Sequence, residues 1–150
     1  MNREFKELLS TFNARAVEYL VVGAHALACH GHVRATKGLD IWIRPGRENA
    51  LHVLEALRDF GAPLYGLDEE DLATPGLIFQ IGVAPVRIDI LTAIDGVVFE
   101  EAWSQKVRTT FGGEPTQVLS RKHLIQNKKA SGRTQDIADV EWLERHGGGE

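Results

Sequence analysis

A chain of 150 residues that is 43% hydrophobic and 25% charged is long enough for one domain with a continuous core, and its composition excludes global disorder. A net charge of −4 gives no general attraction to a polyanion, so nucleic acid would need a local basic patch, whereas a nucleotide needs only a few cations. The lone Cys29 leaves no internal disulfide, the charged start Arg3-Glu4 lacks a signal peptide's apolar core, and no apolar run approaches the ~20 residues that span a bilayer, so a cytoplasmic protein without a membrane segment is expected.

Phe5, Leu8, Leu9 and Phe12 recur at helical spacing and predict an amphipathic helix over 3–14, with Arg3, Glu7 and Arg15 on its wet side. Tyr19 to Val22 reads as a short buried strand, and Ala24 to Cys29 as a helix of small residues closed by Gly31. From Leu39 to Arg44 the alternation is strict: Leu39, Ile41 and Ile43 face the core, and Asp40, Trp42 and Arg44 face away, until Pro45-Gly46 stops the strand. Residues 47–60 predict a helix with Leu51, Leu54, Leu57 and Phe60 inward, and 61–75 a loop. Leu77 to Ile81 and Val86 to Leu91 suit a hairpin across Gly82-Val83-Ala84-Pro85. Phe99 to Lys106 reads as a helical turn, Val107 to Phe111 and Gln117 to Leu119 as short edge strands, and 120–130 and 135–145 as closing helices. This mixture predicts an α+β domain, a small mixed sheet with helices against it, over 1–146, and a disordered tail at 147–150.

Asp40 and Asp89 both stand on alternating strands with apolar neighbours, Asp40 within Leu39-Asp40-Ile41 and Asp89 within Arg87-Ile88-Asp89-Ile90-Leu91. Two carboxylates on adjacent strands can clamp divalent cations; the simpler alternative is solvated acids, with Asp89 paired to Arg87 two residues away on the same face. His25 and Cys29 lie four apart on one helical face, yet no second cysteine or distant pair completes a tetrahedral zinc site. Packing accounts for Trp42, Trp103 and Trp142.

The block Gly23-Ala24, His30-Gly31, Arg34, Thr36, Asp40, then Arg87 to Leu91 and Asp95-Gly96, resembles in order the nucleotidyltransferases of the DNA polymerase beta type, and nearly the whole chain takes part. The resemblance extends to the run Asn127 to Asp139, which looks like that of small bacterial members related to toxin-antitoxin and abortive-infection nucleotidyltransferases. It implies the nucleotidyltransferase (polymerase beta-like) fold, with Asp40 and Asp89 as catalytic metal ligands for Mg²⁺ or Mn²⁺. It further implies an NTP held by Gly23, Ala24, Arg34, Thr36 and Lys128, and transfer of a nucleoside monophosphate to an acceptor hydroxyl with release of pyrophosphate. The acceptor class stays open among protein, tRNA and small molecule, and a homodimer or a toxin-antitoxin partner would each cover an open cleft.

One position departs from the pattern: Gly38 stands where the first aspartate of Asp-x-Asp is expected. This removes a cation ligand and supports an alternative, a catalytically inactive nucleotide-binding or regulatory module of a toxin-antitoxin or phage-defence pair. Glu69, Glu70 or Asp71 would have to supply the missing oxygen from a loop, and if the site is a degenerate one, Asp at position 38 is expected to raise activity or metal affinity.

Overall fold

A computed structural model describes residues 2–146; the tail expected over 147–150 lies outside the described residues. Among the described residues, seven helices and six strands follow in the order α1 (Arg3–Ala14), β1 (Tyr19–Val22), α2 (Gly23–Cys29), β2 (Gly38–Ile43), α3 (Arg47–Phe60), α4 (Glu69–Ala73), β3 (Ile78–Ile81), β4 (Arg87–Leu91), α5 (Phe99–Ser104), β5 (Val107–Phe111), β6 (Glu114–Val118), α6 (Arg121–Ser131) and α7 (Thr134–His146). The strands form one mixed sheet in the order β3-β4-β2-β1-β6-β5. In it β2 runs parallel to β4 and antiparallel to β1, and β1 runs parallel to β6.

The central strands are short and apolar because both faces of the sheet are covered. Leu39, Ile41 and Ile43 are fully buried on one face. Trp42 is also buried, against the edge of Phe99 of α5, so the Asp40 side of β2 is a second packed layer rather than a wet face. Phe5, Leu8, Leu9 and Phe12 of α1 are buried as their spacing predicts, and Arg15 ties α1 to α3 through Asp59 at 2.5 Å and Glu55 at 2.9 Å.

Three local expectations are corrected. Leu51 is 44% exposed, and the buried stripe of α3 is Ala50, Val53, Leu54 and Leu57, a rotation of the helix set by Asn49. That buried amide accepts from Glu18 N and donates to the carbonyls of Glu18 and Arg44, locking the helix start to the ends of β1 and β2. The stretch 61–75 contains α4, closed at its start by a capping box between Asp68 and Asp71 that a purely acidic reading overlooks. Gln117 belongs not to an edge but to β6, an interior strand between β1 and β5. The short apolar content of β6 hides this, since its burial rests on Thr116 and Val118 alone.

Candidate active site

The site lies where β1 ends and the parallel pair β2–β4 begins. In that pair Asp40 stands directly opposite Asp89, flanked by Leu39↔Ile88 and Ile41↔Ile90, so apolar side chains hold both carboxylates on one face of a rigid sheet. The two carboxyl groups are near enough to interact. Burial, reinforced by the charge of Asp89, pushes the Asp40 carboxyl up to about 6, against the opposing pull of Arg87 and Arg133. Asp89 is buried and paired with Arg87: Nη2 donates to Oδ2 at 3.2 Å, while Nε and Oδ1, 3.1 Å apart, are too poorly aligned for a hydrogen bond. The expected Arg87–Asp89 pair therefore exists, within the site and not on a solvated face.

Gly23 starts α2 with φ +68°, and a Cβ there would fall 2.4 Å from Asp40 Oδ2. Only glycine admits both that backbone conformation and the approach of the carboxylate. No side chain caps α2, and Gly23 and Ala24 line one wall of a cleft of about 530 Å³ that also contains Thr36 and Asp40. Thr36 Oγ1 donates to Gly38 O at 2.8 Å and accepts from Gly38 N at 3.2 Å, so its hydroxyl shapes the entry to β2.

The opposite wall carries the cations Arg34, Lys37, Arg87, Lys128 and Arg133. Four of them are already paired. Arg34 forks onto the fully buried Asp139 at 2.6 and 2.8 Å, and Lys128 Nζ lies 2.8 Å from Asp139 and 3.5 Å from Asp136. Arg133 donates to Asp136 from Nε at 2.7 Å and from its backbone N at 3.2 Å. Lys37 has no ion pair among the described residues. The wall is thus a preorganised lattice in which two buried aspartates position three cations.

Gly38 is a steric requirement as well as a missing ligand. A Cβ there would lie 1.8 Å from the carbonyl oxygen of Arg87, the residue paired with Gly38 across the β2–β4 ladder, 2.6 Å from its carbon and 3.1 Å from its Cα. The backbone of β4 occupies the place that an aspartate side chain at 38 would need, which opposes the expectation that it raises cation affinity. The proposed substitutes fail as well. Glu69 pairs with Arg47 at 2.7 Å, Asp71 caps α4, and Glu69, Glu70 and Asp71 lie outside the cleft.

Among the described residues no cluster of three or more His, Cys, Asp or Glu side chains is arranged to hold a metal ion. His25 packs edge-on against Phe5 and Cys29 lies on the same helix, so the four-apart pair belongs to a packed helix. Asp40 and Asp89 are the residues that would hold a divalent ion: two facing carboxylates, Asp89 with a buried oxygen that no hydrogen bond satisfies. A second ion would need the third carboxylate that Gly38 excludes.

Sequence reading placed Gly23, Ala24, Arg34, Thr36, Asp40, Asp89 and Lys128 in one site, and the structure brings all seven to this cleft or to the strand pair beneath it. It gave no binding role to Arg87, Arg133, Asp136 or Asp139. The signal was the Asp-x-x-Asp spacing of α7, which puts Asp136 and Asp139 on one helical face below the cations.

No family model and no curated protein matches this chain in sequence. Solved structures do match. The lincomycin-bound crystal structure of the lincosamide antibiotic adenylyltransferase LnuA superposes with a TM-score of 0.60 at 15% identity, covering 96% of both chains. An antigenic nucleotidyltransferase-like protein from Paracoccidioides brasiliensis gives 0.54 at 14% identity, over 92% of this chain and 72% of that one. At such identities the likeness is one of fold: the chain has the nucleotidyltransferase fold.

Proposed function

We propose that the protein binds a nucleoside triphosphate with Mg²⁺ or Mn²⁺ and transfers the nucleoside monophosphate to an acceptor hydroxyl, releasing pyrophosphate. The observation that carries this reading is the register pair Asp40–Asp89 beside the Gly23 turn, facing a wall of cations fixed by Asp136 and Asp139. A divalent ion held by Asp40 and Asp89 would supply Lewis-acid polarisation and charge neutralisation at the reacting phosphate. Gly23 and Ala24 leave room for the phosphates to approach the backbone. Arg34, Lys37, Lys128 and Arg133 supply the charge that holds a polyphosphate, and Lys37 has no ion pair among the described residues.

The adenylyltransferase neighbour acts on a lincosamide antibiotic, which favours hydroxyl-bearing small molecules as the first acceptors to test. Titration calorimetry of ATP, CTP, GTP and UTP, with and without MgCl₂, is expected to give metal-dependent binding that Asp89→Asn abolishes. Pyrophosphate release is then followed across acceptors. Absence of nucleotide binding by the parent protein would defeat the reading.

A second reading, a regulatory nucleotide-binding module acting with a toxin-antitoxin or phage-defence partner, is favoured by the closed position at Gly38. It predicts nucleotide binding without pyrophosphate release from any acceptor.

A further inference from the structure

Asp40 and Asp89 face each other across one rung of the β2–β4 pair, with Asp89 buried, and two carboxylates held side by side call for positive charge beside them. One cation is already built in. Arg87 reaches across from the residue opposite Gly38, contacts both oxygens of Asp89 at 3.1 and 3.2 Å, and lines the cleft, with its side chain about one-third exposed. The same rung is too tight for any side chain on β2, so a carboxylate and its counter-ion are excluded together at the place where Arg87 leaves β4.

We propose that Arg87 is a resident substitute for one of two metal ions, so that the site takes a single divalent cation and presents the Arg87 guanidinium to the nucleotide's phosphates. This rests on the nucleotide-binding reading above and specifies the cation count and the residue that compensates for it. Formal charge supports the exchange. Three carboxylates with two divalent ions carry one net positive charge, and so do two carboxylates, one guanidinium and one divalent ion. Losing Asp at 38 together with one ion therefore leaves the charge facing the phosphates unchanged, provided Arg87 stays. Its planar fork suits both tasks: one edge engages Asp89 while the remaining N–H groups can donate to phosphate oxygens.

The test is Mn²⁺ binding, read as loss of the free-ion electron paramagnetic resonance signal, with and without α,β-methylene-ATP, which cannot be cleaved at the reacting bond. The parent protein is expected to bind one Mn²⁺ per chain in the presence of the analogue. Arg87→Met should tighten Mn²⁺ binding to the nucleotide-free protein by ~10-fold, since an adjacent guanidinium typically opposes a carboxylate's other cations by one to three decades. The same variant should weaken the analogue by ~10-fold or more. Arg87→Lys, which keeps the charge, should stay within about threefold of the parent on the Mn²⁺ axis and serves as the folded control. Two Mn²⁺ per chain in the parent, or Mn²⁺ affinity unchanged in Arg87→Met, would overturn the inference while leaving nucleotide binding intact. A parent that binds neither Mn²⁺ nor the analogue would overturn the functional reading as well.

Discussion

Adding a single methyl group at Gly38 tests whether the missing carboxylate is an incidental loss or a constraint of the fold. The Cβ of Gly38→Ala would start 1.8 Å from the Arg87 carbonyl oxygen, and that separation must grow to at least 3.0 Å before it resembles any real contact. The atom in the way is backbone, so no side-chain rotation relieves it. The first rung of the β2–β4 ladder has to open, and the two hydrogen bonds between Thr36 and Gly38 that set the strand's entry move with it. Overpacking of this kind costs ~1–3 kcal/mol, and one weakened backbone hydrogen bond adds about 1 kcal/mol. A loss of roughly 2–4 kcal/mol corresponds, for a domain of this size, to a fall in Tm of roughly 5–15 °C. Circular dichroism melts and urea midpoints at constant m measure it. Gly38→Asp should be at least as destabilised, because the carboxylate adds charge beside Asp40 and Asp89, and it should bind no additional Mn²⁺. Gly38→Ala melting with the parent protein would refute the steric argument. A well-folded Gly38→Asp that takes up a second Mn²⁺ would refute it more completely.

Other variants probe the charge lattice. Asp40 titrates near 6 in the fold against 3.8 when unperturbed, so its ionisation destabilises the metal-free protein: the cost is absent below about pH 4, grows as pH rises, and is complete above about pH 6. Asp40→Asn removes that cost and should stabilise the protein in EDTA by up to ~3 kcal/mol at pH 7, with little effect at pH 4; equal shifts at both pH values would sink the assignment. Asp139→Ala removes the carboxylate shared by Arg34 and Lys128 from a fully buried position and should lower the unfolding free energy by ~3–5 kcal/mol by urea denaturation. A loss below ~1 kcal/mol would mean that the two cations relax into solvent without it.

How far the site was legible follows from which of its features have a sequence period. Strict alternation in Leu39 to Arg44 and Val86 to Leu91 turns Asp40 and Asp89 away from the apolar face of their strands, and parallel pairing needs only to set them on the same rung. Helical spacing likewise gave α1, and missed the rotation of α3 because Asn49, a buried polar anchor, outweighs the apolar count at Leu51. What had no period was contact between strands. Gly38 looked like a vacancy in a ligand set, and Arg87 like a surface neighbour of Asp89, since each was weighed along its own strand. The two are one feature: the backbone of Arg87 fills the space a β-carbon at 38 would need, and its side chain neutralises the carboxylate beside that space. A residue's absence in one strand and a residue's charge in the next become a single electrostatic arrangement only when the register is known. This is why sequence reasoning brought the candidate residues together and left the link between Gly38 and Arg87 unread.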